Sequence, residues 1–318
     1  MSSTAPDPGL RRRTVLKALA AAGVVGASGL TWQALTRSPA RFDLAGPSSP
    51  LYDLQGTLLH EEHRIMQSFA FDNANRRLFI AQIQDDSDGN DLCINHVGFD
   101  GQLLGSMHLP DAGHGVSFGV EPVGDVTYLW TEARSDEPAY EGRGTALQRF
   151  AFRDGREPQD AQVHLTGSKN ITCATDPDSE RLLVRREVDD EFTYTVHELG
   201  AAREGDFSEP VWPAVRPAVD GTFQGYGFAG RHLYVLTGSR QDDPDEIDSA
   251  LSAFDLSTGE VLQDQVPVRA GRDLPFREPE GVAVQRTDGG ALRLCFGMAS
   301  REEPQRLANL YYLDATAG

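Results

Sequence analysis

The chain has 318 residues, enough for one large core or two modest ones, and a formal net charge of −19 from 48 acidic and 29 basic residues. A field of that sign disfavours nonspecific nucleic-acid binding, although it leaves room for a local basic pocket. Three cysteines, Cys93, Cys173 and Cys295, are an odd number without metal-ligand spacing, so no residue is assigned to a metal and no cofactor is identified.

The N-terminus carries a targeting pattern. Arg11 to Lys17 reads RRRTVLK and is followed by an apolar, Ala- and Gly-rich run from Ala18 to Leu30. Arg12-Arg13-Thr14-Val15-Leu16-Lys17 resembles the twin-arginine export signal. The apolar run is too short and too rich in glycine for a comfortable membrane span. Residues 1–40 are expected to be a signal region and linker, either cleaved, with Ser38-Pro39-Ala40 as a candidate point, or kept as an uncleaved anchor, and 41–318 a single domain. That domain is expected to pass through the Tat translocase already folded, to carry no stable span, and to act as a secreted or extracytoplasmic envelope protein. Removing residues 1–40 takes away five basic groups and one acidic group, leaving about −23.

Downstream, one sequence unit recurs. Its openings lie near Gln67, His114, Asn170, Gln224 and Glu280, at intervals of roughly 47 to 56 residues, and each unit holds four strand-like runs. The first unit reads QSFAFDNANRRLFIAQIQ, with a turn at Asp72-Asn73-Ala74-Asn75 between an alternating run and a continuous apolar one. The acidic loop Asp85–Asp91 lacks the order of an EF-hand and reads as a solvated connection. Units two and three begin HGVSFGVEPV and NITCATDPDS, and unit four reads QGYGFAGRHLYVLTGSR. The fifth, EGVAVQRTDGGALRLCFGMASR, is followed by only one more strand, Ala308–Leu313. Its missing fourth strand would leave an open ladder of backbone donors and acceptors. The unpartnered run Leu51–Leu59, LYDLQGTLL, is placed there. The fold class is therefore all-β, a five-bladed β-propeller closed by an N-terminal strand that completes the last blade.

In such a ring the start of each inner strand and the end of each second strand converge at one mouth of the central channel. Gln67, His114, Asn170, Gln224 and Glu280 would form a polar floor suited to a ligand. Arg134, Arg186, Arg240 and Arg301 would rim it with rigid donors for phosphate, sulfate or carboxylate. Glu132 and Glu187 end second strands and could pair as carboxylates across neighbouring blades, while Glu121 falls near the opposite face. Tyr226 could stack on a sugar ring. His114 and Glu280 are the acid/base candidates, because burial at the channel could bring their titration toward neutrality.

The openings His114-Gly115-Val116, Gln224-Gly225-Tyr226 and Glu280-Gly281-Val282, behind a twin-arginine signal, carry a resemblance. The chain resembles the five-bladed propellers related to teichoic acid biosynthesis protein C and to certain staphylococcal phage receptor-binding proteins, over roughly residues 50–316. The resemblance implies recognition of a surface glycopolymer through the channel face and transfers no catalytic dyad. The functional expectation is an exported propeller that binds an anionic cell-envelope glycan or small polar ligand. The alternative is a secreted carbohydrate-active hydrolase or lyase, or a small-molecule enzyme, using Glu280 and His114. Glycosidases sharing the five-bladed architecture usually place acidic residues on successive inner strands, and here only Glu280 does so.

Overall fold

The computed structural model describes residues 41–316 apart from 88–89, 136–142 and 244; the expected export signal lies outside the described residues. The described chain begins with two short strands, β1 (Arg41–Phe42) and β2 (Ser49–Pro50). Blade one follows as β3 (Met66–Asp72), β4 (Arg77–Ile83), β5 (Leu92–Val97) and β6 (Leu103–Leu109). Blade two is β7 (Gly119–Val123), β8 (Val126–Ala133), β9 (Ala146–Ala151) and β10 (Gln162–His164). Blade three is β11 (Thr172–Thr175), β12 (Arg181–Val188) and β13 (Glu191–Glu198), followed by a short helix, α1 (Leu199–Arg203). Blade four is β14 (Phe223–Ala229), β15 (His232–Thr237), β16 (Ala250–Asp255) and β17 (Val261–Pro267). Blade five is β18 (Glu278–Arg286), β19 (Leu292–Ser300) and β20 (Leu307–Thr316). Within each blade, successive strands pair antiparallel.

Blades stack face to face, so a strand deep in the ring is covered on both sides. That is why β3, β15 and β16 are buried along their whole length and read as nearly continuous apolar runs, without strict alternation. The outer strands β6 and β17 are largely exposed or half-buried. Five apolar clusters fill the blade-to-blade interfaces. Phe79 and Ile94 meet Phe118 and Leu129 between blades one and two. Trp130 and Leu147 meet Leu182 and Val184 between two and three. Leu183 and Tyr194 meet Tyr226 and Val235 between three and four. Tyr234 and Leu236 meet Phe296 and Met298 between four and five. The remaining cluster, with Phe69 and Ile80 against Leu310 and Ala308, joins blade five back to blade one and closes the ring.

Blade three has three regular strands. Its fourth position is taken by an extended segment in which Val211 donates to the Val196 carbonyl and Val215 exchanges both bonds with Tyr194. Pro210, Pro213 and Pro217 lack the amide protons that a regular ladder needs.

The last blade is completed by the N-terminal segment, but not by Leu51–Leu59 as a strand. Phe42 pairs with Ala315, and Ser49 and Pro50 pair with Tyr312 and Tyr311. Leu51 donates to Leu310, after which the chain leaves the sheet in a 3-10 turn, Tyr52–Leu54, and rejoins it where Thr57 and Ala308 exchange bonds. Two side chains stand in for the interrupted ladder: Gln55 Nε2 donates to the Leu310 carbonyl, and Asn309 Oδ1 accepts from Gly56 N. The alternation of Tyr52 and Leu54 suggested a strand; with Tyr52 turned to solvent and Leu54 buried, it marks one turn of helix.

At the axis the inner strands touch. A Cβ on Gly225 would stand 2.8 Å from the Val116 carbonyl oxygen and 2.9 Å from the Gly281 Cα, which are backbone atoms of blades two and five. Ser68 Oγ of blade one donates to the Gly115 carbonyl, and Ser117 Oγ lies 3.0 Å from the Cys173 carbonyl and 3.2 Å from that of Tyr226. Gly225 also has φ +133°, a conformation L side chains rarely adopt. Gly225→Ala should therefore lower stability by roughly 3 kcal/mol or more. Gly155→Ala, at a positive-φ turn with open space around it, should cost only about 1–2 kcal/mol. Urea midpoints of the two variants test the difference, and equal losses would mean that the axis tolerates a methyl group.

Candidate functional site

Gln67, Gln224 and Glu280 stand within the inner strands β3, β14 and β18, each next to a residue that meets a neighbouring blade at the axis, and His114 and Asn170 lie just ahead of the inner strands β7 and β11. In three blades the ladder shifts register at this point, between Met66 and Ser68, Phe223 and Gly225, and Glu280 and Val282. Such bulges re-aim side chains at the rim of a barrel or propeller. Gln67, Gln224 and Glu280 are buried, and Gln224 Nε2 donates to the Gly238 carbonyl at 2.9 Å. Asn170 has φ +51° and donates to Glu187.

Beside the axis, blade two carries a carboxylate clamp. Glu132, at the end of β8, accepts from the backbone amides of His114 (3.0 Å) and Gly115 (2.7 Å) through Oε1 and from Gly144 (2.7 Å) through Oε2. The clamp fixes the opening of blade two and the base of the β8–β9 loop, and so positions Arg143. Burial pushes the Glu132 carboxyl upward, while Arg143 and the three amides pull the other way. Glu187 is held differently, by Lys169 and Asn170. Glu132 and Glu187 thus line one cavity, but each is already engaged by its own partners.

That cavity, about 450 Å³, opens over blades two to four and is lined by Arg143, Lys169, Arg185, Phe192 and Phe223 together with the two glutamates and Asn170. Arg185 is its most distinctive wall. The guanidinium lies 3.4 Å from the centre of the Phe192 ring and 4.0 Å from that of Phe223, and its buried Nε has no hydrogen-bond partner. Among the described residues no carboxylate lies within ion-pair distance of Arg185 or Arg143.

The four rim arginines separate. Arg186 is next to Arg185 on β12 and so points to the other face of the sheet, with Thr193 and His197, whose imidazole it helps to keep uncharged. Arg240 stacks 4.0 Å over Phe276 and pairs with Asp242 at 3.0 Å. Arg134 and Arg301 are exposed, both at positive φ just past their strands, which turns them out of the ladder. The cavity's cations come instead from Arg143, Lys169 and Arg185. Tyr226 is fully buried between blades three and four, edge-on to Tyr194 and 3.2 Å from Thr172 Oγ1. It packs the core and offers no face to a ligand. Glu121 is buried by Trp130, Arg149 and Arg203, as a structural ion cluster.

His114 and Glu280 respond to burial in opposite senses. Burial, with Arg143 adding to it, pulls the His114 imidazole down from 6.5 to about 4. Burial, reinforced by Glu278, pushes the Glu280 carboxyl well above its usual 4.5, and Glu280 Oε2 has no partner. Between pH 6.5 and 4 the unfolded state binds the His114 proton and the folded state does not, so stability is full above that window and falls as pH drops through it. Glu280 acts in the opposite direction: its neutral form is favoured in the fold, and stability is lost as pH rises from 4.5 toward the raised value. His114→Asn should flatten the acid limb of a plot of Tm against pH. Glu280→Gln should raise Tm above neutrality, with the gain fading below 4.5. Parallel curves for variant and parent would show that neither group is held uncharged.

Residues 65–202, which span blades one to three, match the family model for a phage 5-bladed beta propeller receptor binding platform domain. The putative major teichoic acid biosynthesis protein C of Bacillus subtilis (strain 168) is 25% identical over 267 residues, covering 78% of this chain and 59% of that protein. The chain thus spans under two thirds of the length of that relative. The tail fiber of Staphylococcus aureus phage P68 superposes with a TM-score of 0.71 at 18% identity, over 87% of this chain and 54% of the fibre chain, which speaks to the fold. The chain is a five-bladed β-propeller resembling the phage receptor-binding platform domain and teichoic acid biosynthesis protein C.

Proposed function

We propose that this chain is an exported propeller, residues 41–318, that binds an anionic cell-envelope glycan in the cavity over blades two to four. The similarity to a receptor-binding propeller and to a teichoic acid protein supports cell-wall glycan binding. The residues RRRTVLK support export by the twin-arginine route and hence an extracytoplasmic place of action. The observation that carries the ligand class is Arg185: a buried guanidinium between two aromatic rings, beside the Tyr194 hydroxyl, with no carboxylate within ion-pair distance among the described residues. A phosphodiester would pair with the Arg185 guanidinium, Arg143 and Lys169 would add charge, and Phe192 and Phe223 would pack against the polyol or sugar between phosphates.

The hydrolase reading asks for two carboxyl groups open to a substrate. Glu132 is committed to three backbone amides, Glu187 to Lys169 and Asn170, and Glu280 is closed over by protein. Binding is therefore the reading with chemistry behind it.

Purified teichoic acid titrated against the full chain tests this. Arg185→Ala and Arg143→Ala should each weaken binding by about tenfold and make it less sensitive to salt. Arg240→Ala, already paired with Asp242, should change affinity by less than about twofold. Unchanged affinity in both cavity variants would overturn the assignment.

A further inference from the structure

A second site lies on the same face of the propeller, at the outer side of blade one, and none of its residues takes part in the cavity. His60, Glu61 and His108 bring one ligand atom each to within 4.8 Å of one another. Glu61 Oε1 is 2.9 Å from His108 Nε2 and 4.0 Å from His60 Nε2. The geometry points to a binding site for a first-row divalent metal ion of the borderline class, zinc foremost, held by His60, Glu61 and His108 with one position left for water.

Two imidazoles and one carboxylate form a common donor set for such an ion, and hard cations such as calcium prefer all-oxygen shells. Tetrahedral zinc with bonds of about 2.0–2.1 Å separates its ligand atoms by roughly 3.4 Å. The two distances to Glu61 bracket that value, and the two imidazole atoms, within 4.8 Å of each other, would draw together as the rings turn toward the ion. Metal binding would replace the hydrogen bond between Glu61 and His108, and any proton displaced would go to solvent.

The frame around these ligands is built, not incidental. His60 N donates to Asn95 Oδ1 at 2.8 Å, and Glu61 N donates to Gln82 Oε1 at 3.1 Å. Gln82 Nε2 returns bonds to the carbonyls of Glu61 and Arg64, both at 2.8 Å, and Asn95 Nδ2 donates to Gln82 Oε1 at 3.0 Å. Asn95 and Gln82 are buried at 0% and 1% exposure, so two interior amides hold a loop that otherwise has no ladder. Glu61, itself 6% exposed, uses Oε2 to accept from Asp85 N at 2.9 Å, which leaves Oε1 for the two imidazoles. A hydrogen bond to the far side of a ligand, as from Asp85 N to Glu61 Oε2, fixes its orientation in metal sites. Both histidine side chains are partly open, at 46% and 39%, which gives an ion a way in. Cys93 lies behind Glu61, fully buried, and is not one of the clustered ligand atoms.

The bound ion would act as a clip. His60 and Glu61 follow directly on the segment that closes blade five, whereas His108 ends the outer strand of blade one. Coordination would therefore fasten the ring-closing segment to the next blade.

The test uses the full chain, stripped with chelator and then titrated with zinc, cobalt, calcium and magnesium chlorides in separate experiments. One equivalent of zinc should bind, cobalt should give visible d–d bands of a tetrahedral nitrogen–oxygen site, and calcium and magnesium should not compete. Tm should rise with zinc concentration, as linkage requires. His60→Ala, at the exposed position, and His108→Ala should each weaken zinc binding by at least about tenfold and abolish the shift in Tm. Cys93→Ser should leave the stoichiometry at one. Absence of saturable zinc binding to the parent chain, or unchanged affinity in His60→Ala with its circular dichroism spectrum intact, would overturn the site. Glycan binding enters none of these readouts, so this result stands apart from that of the cavity variants.

Discussion

The inner strands of the ring approach the axis so closely that backbone meets backbone, and everything at the mouth is arranged around that contact. Gly225 sits against Val116 and Gly281, and Ser68 and Ser117 tie neighbouring blades together through their hydroxyls. A position that excludes a Cβ also decides where the residue before it must go. The openers Gln67, Gln224 and Glu280 stand at bulges one step ahead of the contact, which is why unlike residue types occupy like places. The tight axis also explains the position of the cavity. At this mouth main chain closes the centre, and space opens off-centre, over blades two to four.

The architecture was legible in the sequence because period and strand order carry it. Five openings at near-constant spacing fix the number of blades, and the short fifth unit calls for a strand from the N-terminal side. The exact closing residues were not legible. Pairing at Phe42, Ser49 and Thr57 is interrupted twice, and Gln55 and Asn309 bridge the gap with side chains, which no alternation pattern announces. The mouth was legible at the level of elements and not of side chains. Arg186 and Arg185 are adjacent on a strand, and one step of register sends one toward His197 and the other between Phe192 and Phe223. Tyr226 reads in the sequence as a ring able to stack on a sugar. The glycines on either side of it mark close approach of the blades, and close approach buries the tyrosine. Arg143 had no pattern to betray it, since its place depends on Glu132 gripping Gly144. The cluster of His60, Glu61 and His108 was invisible for a similar reason: three strands, two of which carry the buried amide pair, separate residues that meet in space.

A strongly acidic chain holding a cationic cavity poses an electrostatic question that the local chemistry answers. Most surface arginines here are spent on nearby carboxylates, as Arg240 is on Asp242 and Arg293 on Asp314. Arg185 escapes that fate because aromatic rings flank it on both sides. A guanidinium is weakly hydrated and stacks readily, so this setting keeps the charge available at modest desolvation cost. The surrounding negative field would repel a diffusing polyanion at long range, and only contact within a Debye length would be attractive.

The split closing segment has a consequence for synthesis. Phe42 emerges from the ribosome ahead of every blade and its partner Ala315 only after all five inner strands, yet they pair in the same sheet. Blades one to four can assemble as they appear, but the circle cannot be sealed until the last strand of blade five has emerged. Completion of the fold therefore waits on one late pairing between the two ends of the propeller.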